Sequence, residues 1–274
     1  GKISVGPPYF NFIFKPLALA MLAFMAAGSL AHWKHQSGRQ LLSLLLGPMI
    51  AAAIFSVVAT ALAGWYNLVA LGLFLLLTVA FSVLADIARK MRVAKAGLWH
   101  GFWRLSRSYR GMQLAHLGVL VSITGVLLTT HYSVEHDLRM EIGETETVGP
   151  YQFHFQSIAQ QIGPNYTTEV ADIRVLKHGV LVRRMFPEKR MYSVRQMPMT
   201  KVALSPGLIR DLYVALGEAS GSAWAVRIYY KPFVRWIWLG ALLMAAGGVM
   251  AVSDRRYRLK KTPSELSAAM GGRP

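Results

Sequence analysis

The 274-residue sequence contains no cysteine. This absence excludes a disulfide framework, a zinc–thiolate site and any thiol nucleophile supplied by the chain itself. If the protein takes part in thiol chemistry, the thiols must therefore belong to another molecule. Acidic residues are also scarce: 13 Asp and Glu stand against 30 Lys and Arg, and the formal net charge is +17.

The distribution of this charge argues against a nucleic-acid-binding protein. Residues 131–232 are close to balance, with 12 Lys and Arg against 10 Asp and Glu. The remainder carries 18 Lys and Arg and only three acidic residues, Asp86, Asp254 and Glu265. Its positive charge is concentrated in short segments beside long apolar runs, where it sets membrane topology rather than binding phosphate. We therefore expect no nucleic-acid partner.

Apolar residues make up 54% of the chain, and many of them lie in runs long enough to cross a bilayer. Five such runs are predicted as transmembrane helices: Phe12–Ala31, Leu41–Ala63, Leu68–Ala85, Met112–Thr130 and Trp236–Val252. The fold class predicted is a polytopic α-helical membrane protein with a small antiparallel β-rich domain inserted before the last span.

The basic residues in the short loops predict the orientation of these spans. Lys and Arg are enriched in 33–40, in 89–111 and in the tail 254–274, and counting spans puts all three segments on one side. The positive-inside rule makes that side the cytoplasm. Residues 1–130 then hold four spans, residues 131–232 face outwards, and residues 233–253 form the fifth span. The 89–111 loop is equally consistent with an interfacial helix and with a solvated basic loop.

The outward segment has the alternating pattern of β-strands. Strands are predicted at 145–148, 151–155, 171–176, 180–182 and 224–230, with a hairpin turn at Lys177-His178-Gly179. A short helix is predicted near Leu208–Leu216. About six strands in roughly 100 residues indicate a small antiparallel sandwich or barrel.

His116 is the main candidate for chemistry. It lies inside the fourth predicted span, where an ionisable side chain is costly and is a functional candidate by default. Its neutral imidazole could bind haem iron, and the flanking Ala115 and Gly118 would leave room for a flat macrocycle. A packing histidine hydrogen-bonded to a neighbouring helix explains the position equally well. His131 and His136, just outside the span, fit a solvated or strand-start role better than a ligand role.

Several ordered strings resemble the CcmF family of cytochrome c-type biogenesis proteins. They are 2–11 (KISVGPPYFN), 111–118 (GMQLAHLG), 163–167 (GPNYT), 188–190 (EKR), 207–218 (GLIRDLYVALGE), 224–240 (WAVRIYYKPFVRWIWLG) and 254–258 (DRRYR). The string at 224–240 is long and specific enough to indicate the family without the others. The resemblance covers essentially the whole chain and corresponds to the C-terminal portion of the family.

The resemblance implies a haem lyase of the bacterial inner membrane, with residues 131–232 in the periplasm and the C-terminus in the cytoplasm. Such a protein receives haem from the chaperone CcmE and attaches it to Cys-x-x-Cys-His motifs of apocytochrome c, presented by CcmH and CcmI. A transmembrane haem b would keep the iron reduced, with quinol as an electron donor. By the same resemblance, His116 looks like one axial ligand of this haem b.

The resemblance also implies what the chain does not contain. The second haem b ligand, the tryptophan-rich segment and the histidines that hold the transferred haem belong to the family's N-terminal half. Catalytic residues for thioether formation cannot be named from the sequence. Two alternatives stay open: a haem lyase subunit dedicated to nitrite reductase maturation, and a non-haem membrane receptor with an external β-domain.

Overall fold

A computed structural model describes residues 6–31, 36–65, 68–93, 101, 103–194 and 197–254. These residues form two compact units, one of residues 1–123 and 239–274 and the other of residues 124–238. The first unit is helical, and the second contains the β-strands. Residues 94–100 and 102 of the 89–111 loop, on which the interfacial-helix prediction falls in part, lie outside the described residues.

Five long apolar helices confirm the predicted spans. They are α1 (Pro7–Leu30), α2 (Gly38–Ala63), α3 (Leu68–Val93), α4 (Arg107–Tyr132) and α5 (Val234–Val252). All five are long and apolar enough to cross a membrane. Local signals explain their ends: α1 begins with a proline, and α2 begins with a capping box in which Ser37 and Gln40 each bond the other's backbone N–H.

The helices of the first unit pack around a small apolar cluster, called here the helical core. Its buried members are Leu22, Ala26, Val79 and Val83. Many other apolar side chains of the spans are exposed, such as Phe24 at 78% and Leu62 at 85%. This pattern is expected of helices whose outer faces contact lipid rather than water.

A glycine seam joins α4 to α5. A Cβ added to Gly111 would lie 2.5 Å from the carbonyl oxygen of Gly247, and one added to Gly118 would lie 2.6 Å from that of Gly240. The seven-residue spacing places both glycines of each helix on one face. Because only glycine permits this backbone approach, the two helices pack at the closest distance that small residues allow in membranes.

The second unit contains an antiparallel β-sandwich of ten strands among the described residues. They are β1 (Val134–Glu141), β2 (Thr145–Val148), β3 (Tyr151–Ile162), β4 (Tyr166–Lys177), β5 (Val180–Met185), β6 (Glu188–Tyr192), β7 (Pro198–Lys201), β8 (Ala203–Ser205), β9 (Arg210–Ser220) and β10 (Ala223–Pro232). One sheet has the order β1-β10-β9-β8. The other has the order β2-β3-β4-β6-β7, with β5 paired to β4.

The two sheets enclose one apolar core. Phe153 and Phe155 of β3 meet Leu212 and Leu216 of β9 in a cluster of fully buried side chains. Alternate residues of β3, β4, β9 and β10 enter this core, as expected of two sheets packed face to face. The five strands predicted from alternation are confirmed, and so is the hairpin turn, where His178 and Gly179 both have positive φ, at 51° and 78°.

The helix predicted near Leu208–Leu216 is wrong. Residues Arg210–Ser220 form strand β9, in which Leu212, Val214 and Leu216 are buried and alternate with partly exposed neighbours. The Leu and Ala residues favour a helix locally, but pairing with β8 and β10 and burial of one face outweigh that preference. The sequence also underestimated the number of strands, because several of them are short or polar.

Candidate functional site within the helical unit

Helix α4 positions His116 towards the interior of the helical unit. At 1.5 Å per residue, His116 lies about 14 Å along the axis from Arg107, where the helix begins. Gln113, Leu120 and Ile123 share its face at helical spacing. Leu120 and Ile123 pack against the helical core, and this contact shows which way the face points.

The Nδ1 atom of His116 is buried and has no hydrogen-bond partner among the residues that the structure describes. A buried polar atom of this kind is uncommon in folded proteins and calls for an explanation such as a ligand. The alternative of a packing histidine bonded to a neighbouring helix stays a prediction. A neutral imidazole has one ring nitrogen with a lone pair, which is the donor that haem iron takes from histidine, so the side chain fits the ligand that the sequence suggested.

The space expected beside Ala115 and Gly118 is not available for a macrocycle. Both residues face α5 in the glycine seam, where a Cβ on Gly247 would lie 2.6 Å from the backbone nitrogen of Ala115. His116 points away from that seam, because Gly118 lies two positions, and so about 200°, further around the helix. These small residues therefore serve helix packing. Any flat ligand would have to approach His116 from the opposite face.

A buried carboxylate, Asp86 of α3, lies on the same side of α4. It is 2% exposed and accepts hydrogen bonds from the Tyr109 hydroxyl at 2.7 Å and from Nε2 of Gln113 at 3.4 Å. Arg89 and Lys90 offset its charge, with nitrogen–oxygen distances of 2.9 and 3.4 Å. A buried carboxylate needs such partners, because an unpaired charge there would be very costly.

Sequence reasoning missed Asp86 as a site residue. The third span was predicted to end at Ala85, whereas α3 continues to Val93 and brings Asp86 inside the helix. The signal was present, since an acidic residue at the end of an apolar run is rare and marks a functional candidate. Its partners on α4 could not be foreseen from the sequence, because they lie more than twenty positions away.

Two further polar atoms near this face have no partner within the described part of the chain. They are Oε1 of Gln113 and Oγ of Ser82, and Ser82 lies one turn before Asp86 on α3. Gln113 lies one turn before His116 on α4 and bonds Asp86 through its Nε2 atom. The arrangement offers the imidazole of His116 as a ligand, with polar side chains and a charge-balanced carboxylate on the same side of the helix.

The other described histidines do not join this site. His131 ends α4 with its ring against Tyr132, and His136 is exposed on β1, in agreement with the surface and strand roles expected for them. His154 bonds Thr145 at 2.8 Å, and His178 occupies the hairpin turn. No group of three or more His, Asp or Glu side chains suited to a metal ion is found in the described ranges. His116 is therefore the single candidate ligand there.

The fold and this site define a class: a multi-pass membrane protein with an inserted β-sandwich and a histidine inside a span. Comparison with known families narrows the class. Residues 131–232 match the family model described as the CcmF C-terminal beta-sandwich. Over the length that it spans, the chain belongs to the CcmF family of cytochrome c-type biogenesis proteins.

Curated relatives match nearly the whole chain. It is 45% identical over 263 residues to the cytochrome c-type biogenesis protein CcmF of Pseudomonas aeruginosa, covering 94% of this chain and 39% of the relative. It is 38% identical to CcmF of Escherichia coli, covering 97% and 40%. The cytochrome c-type biogenesis protein NrfE of Haemophilus influenzae is 35% identical, with 95% and 40% covered. The chain thus spans about two fifths of the length of these relatives.

A solved structure, that of the cytochrome c heme lyase CcmF, shares the fold. Its TM-score is 0.70 at 22% identity, and the match covers 90% of this chain and 41% of that chain. The predicted combination of spans and an antiparallel β-domain is thereby confirmed as a known architecture.

Proposed function

We propose that this chain is part of a haem lyase that attaches haem covalently to apocytochrome c, and that His116 is an axial ligand of a haem b held within the membrane. The observation that carries the proposal is the buried and unpartnered Nδ1 atom of His116 inside a span. Family membership supports it, because the protein in the matched structure is named a haem lyase. A second axial ligand would come from outside this chain.

A haem b, when bound, supplies one-electron chemistry at its iron, which would keep the transferred haem reduced. The residues of this chain hold the ligand in place. The glycine seam fixes α4 on one side, and the hydrogen bond between Gln113 and Asp86 fixes it on the other. This two-sided restraint sets the position of the imidazole and leaves a ring nitrogen free for the iron.

The distribution of charge supports an orientation for the lyase. We infer that the basic loops face the cytoplasm of a bacterial inner membrane and that the β-sandwich faces the periplasm. In that position the sandwich lies where CcmE delivers haem and where CcmH and CcmI present apocytochrome c. We hypothesise that residues 131–232 dock these presenting partners. If a chain lacking residues 140–225 still co-purified with them, this hypothesis would be wrong.

The ligand role of His116 is tested by visible spectroscopy. The chain is joined to the segment that completes the length of a CcmF relative, and His116→Ala is compared with the parent and with His131→Ala. We expect the reduced-minus-oxidised b-type signal to be lost in His116→Ala and retained in His131→Ala, because His116 lies in the interior of α4 whereas His131 lies at its end. Protein yield and monodispersity show whether each variant folds.

The spectrum also separates the alternatives. An unchanged signal in His116→Ala would make this residue a packing residue and remove the ligand proposal. A parent protein without haem would favour the non-haem receptor that the sequence left open. The choice between general cytochrome c maturation and a lyase dedicated to nitrite reductase maturation depends on the substrate, so it is tested by offering apocytochromes with different haem-attachment motifs.

A further inference from the structure

The junction between β-sandwich and spans belongs to one compact unit. Residues 124–238 include the last turns of α4, the whole sandwich and the first turn of α5. The position of each sandwich loop along the axis of α5, measured from the start of that helix, is therefore defined within this unit. The end of the sandwich at which the chain passes from α4 and into α5 is called here the junction end.

The loop Pro206–Ile209 is held directly beside the start of α5. The backbone N–H of Phe233 donates to the carbonyl oxygen of Ile209 at 2.8 Å, and Phe233 immediately precedes the helix. Asp211 strengthens the connection, since it accepts from the N–H of Gly207 at 2.9 Å and from Nε of Arg235 at 3.2 Å. Arg235 is thus the ion-pair partner of Asp211.

The end of α4 is tied to the same place. Oγ1 of Thr129 donates to the carbonyl oxygen of Pro232 at 2.6 Å. Phe233 itself has a φ of 57°, an uncommon conformation for a residue with a side chain, and such a conformation persists only where surrounding contacts enforce it. The loop therefore lies at the level where the last span begins.

Four exposed aliphatic side chains lie at this junction end. Leu208 and Ile209 are 68% and 62% exposed, although they lie next to the start of a membrane span. The hairpin tip between β4 and β5 presents two more, Val180 at 68% and Leu181 at 51%. This hairpin is at the same end, because Nζ of Lys177 lies 5.7 Å from the ring of Tyr151, whose hydroxyl accepts from Arg210 at 2.8 Å.

Cationic and aromatic side chains lie at the same end of the sandwich and in the first turns of α5. Lys177 and Lys231 are exposed, and each lies against a tyrosine ring of the sandwich. Trp238 is 71% exposed in the first turns of α5, and Trp236 lies one half-turn earlier. Apolar tips flanked by Lys and Trp are the composition of surfaces that lie in the headgroup region of a bilayer.

We propose that the junction end of the sandwich is a lipid-binding surface, in which Leu208, Ile209, Val180 and Leu181 insert among the headgroups of the adjacent leaflet. The bilayer is the occupant that the geometry favours, because the tips lie level with the residue at which the span begins. Aliphatic side chains at that level avoid water by entering lipid, and the lysines reach the phosphates. The inference requires only that α4 and α5 cross a membrane, so it does not depend on the haem proposal.

The absence of cysteine makes the test direct, because single cysteines can be labelled without background. The full chain is reconstituted in vesicles of phosphatidylethanolamine and phosphatidylglycerol, with an environment-sensitive fluorophore attached to Leu208→Cys or Val180→Cys. The control is Ile162→Cys, whose native side chain is 90% exposed at the opposite end of β3, about 36 Å from Tyr151 at 3.3 Å per residue.

We expect lipids with a nitroxide near the headgroup to quench the label at position 208 or 180 at least about twofold more strongly than the label at position 162. Aqueous iodide should show the reverse order. Equal quenching by lipid at both ends would overturn the proposal and would make the exposed tips a surface for a protein partner. Because all three residues are exposed, the substitutions should not impair folding, and identical circular dichroism spectra would verify this.

Discussion

The helical unit and the β-sandwich remove their apolar side chains from water in different ways. The sandwich encloses a cluster of fourteen buried residues, whereas the helical core has four, and large side chains such as Phe24 stay exposed on the spans. Lipid replaces a protein core on the outer faces of the helices. The buried polar atoms show the opposite distribution. In the described part of the helical unit, Oγ of Ser82, Nε of Arg110, Oε1 of Gln113 and Nδ1 of His116 have no hydrogen-bond partner, whereas Nε of Arg174 is the one such atom in the described part of the sandwich. The sandwich therefore has the properties of a stable scaffold, and the helical unit has those of a binding site.

The largest expected difference between the two units concerns matched phenylalanines. Phe153→Ala in the sandwich core should lower the free energy of unfolding by about 3–5 kcal/mol, because a fully buried ring leaves a cavity. Phe24→Ala on α1 should have little effect, since lipid or detergent fills the space. Urea titration in mild detergent, followed by near-ultraviolet circular dichroism, measures both. Equal losses would contradict the view that lipid covers the outer faces of the spans.

The glycine seam should show the next largest effect. Gly118→Ala places a methyl group against the backbone of α5, and the resulting overpacking should cost about 1–3 kcal/mol. Gly28→Ala is the matched control, because a Cβ added there meets nothing within 4 Å. Titration with sodium dodecyl sulfate, followed by helical circular dichroism, reports the change. A Gly118→Ala protein as stable as Gly28→Ala would show that the two helices do not need their close contact.

The smallest expected effect is a pH dependence of the sandwich. Burial tends to raise the pKa of Glu188, but hydrogen bonds from Arg190 at 2.7 Å and Lys201 at 2.6 Å outweigh it and hold the pKa below its ordinary value of 4.5. Because the folded-state pKa is lowered, this contribution is present above pH 4.5 and is lost as the pH falls through the folded-state pKa. Glu188→Gln should lower the free energy of unfolding by at most about 1 kcal/mol at neutral pH. It should also make the free energy of unfolding depend less on pH in the acid range.

The control for this pH effect is Asp137→Asn. The hydrogen bond from Arg227 lowers the pKa of Asp137, but the pair is exposed to solvent, which screens it. We expect the urea midpoint of the Asp137→Asn variant to change between pH 7 and pH 4 by the same amount as the urea midpoint of the parent protein. If Asp137→Asn altered the pH dependence of stability more than Glu188→Gln did, Asp137 rather than Glu188 would be the stabilising carboxylate.

Part of the fold was predictable because its signals are local. Apolar runs of about 20 residues identified all five spans, and alternation identified strands such as Tyr151–Phe155. Strand β9 was missed because Leu and Ala favour a helix in isolation, and only pairing with β8 and β10 makes it a strand. Of the candidate site, the sequence predicted His116, because a histidine inside a span is rare. It did not predict the neighbour Asp86, because that residue lies on a helix distant in the sequence.

The sequence alone determined which segments enter the membrane, which side chain within them could bind a metal, and that no thiol of this chain takes part. Tertiary structure decided which way each helix face points. Gly118 lies in the seam against α5 rather than beside a ligand, and Asp86 lies inside α3 with hydrogen bonds from Tyr109 and Gln113. The physical reason is that transfer into lipid depends on the composition of one segment, whereas packing and hydrogen bonding depend on segments distant in the chain.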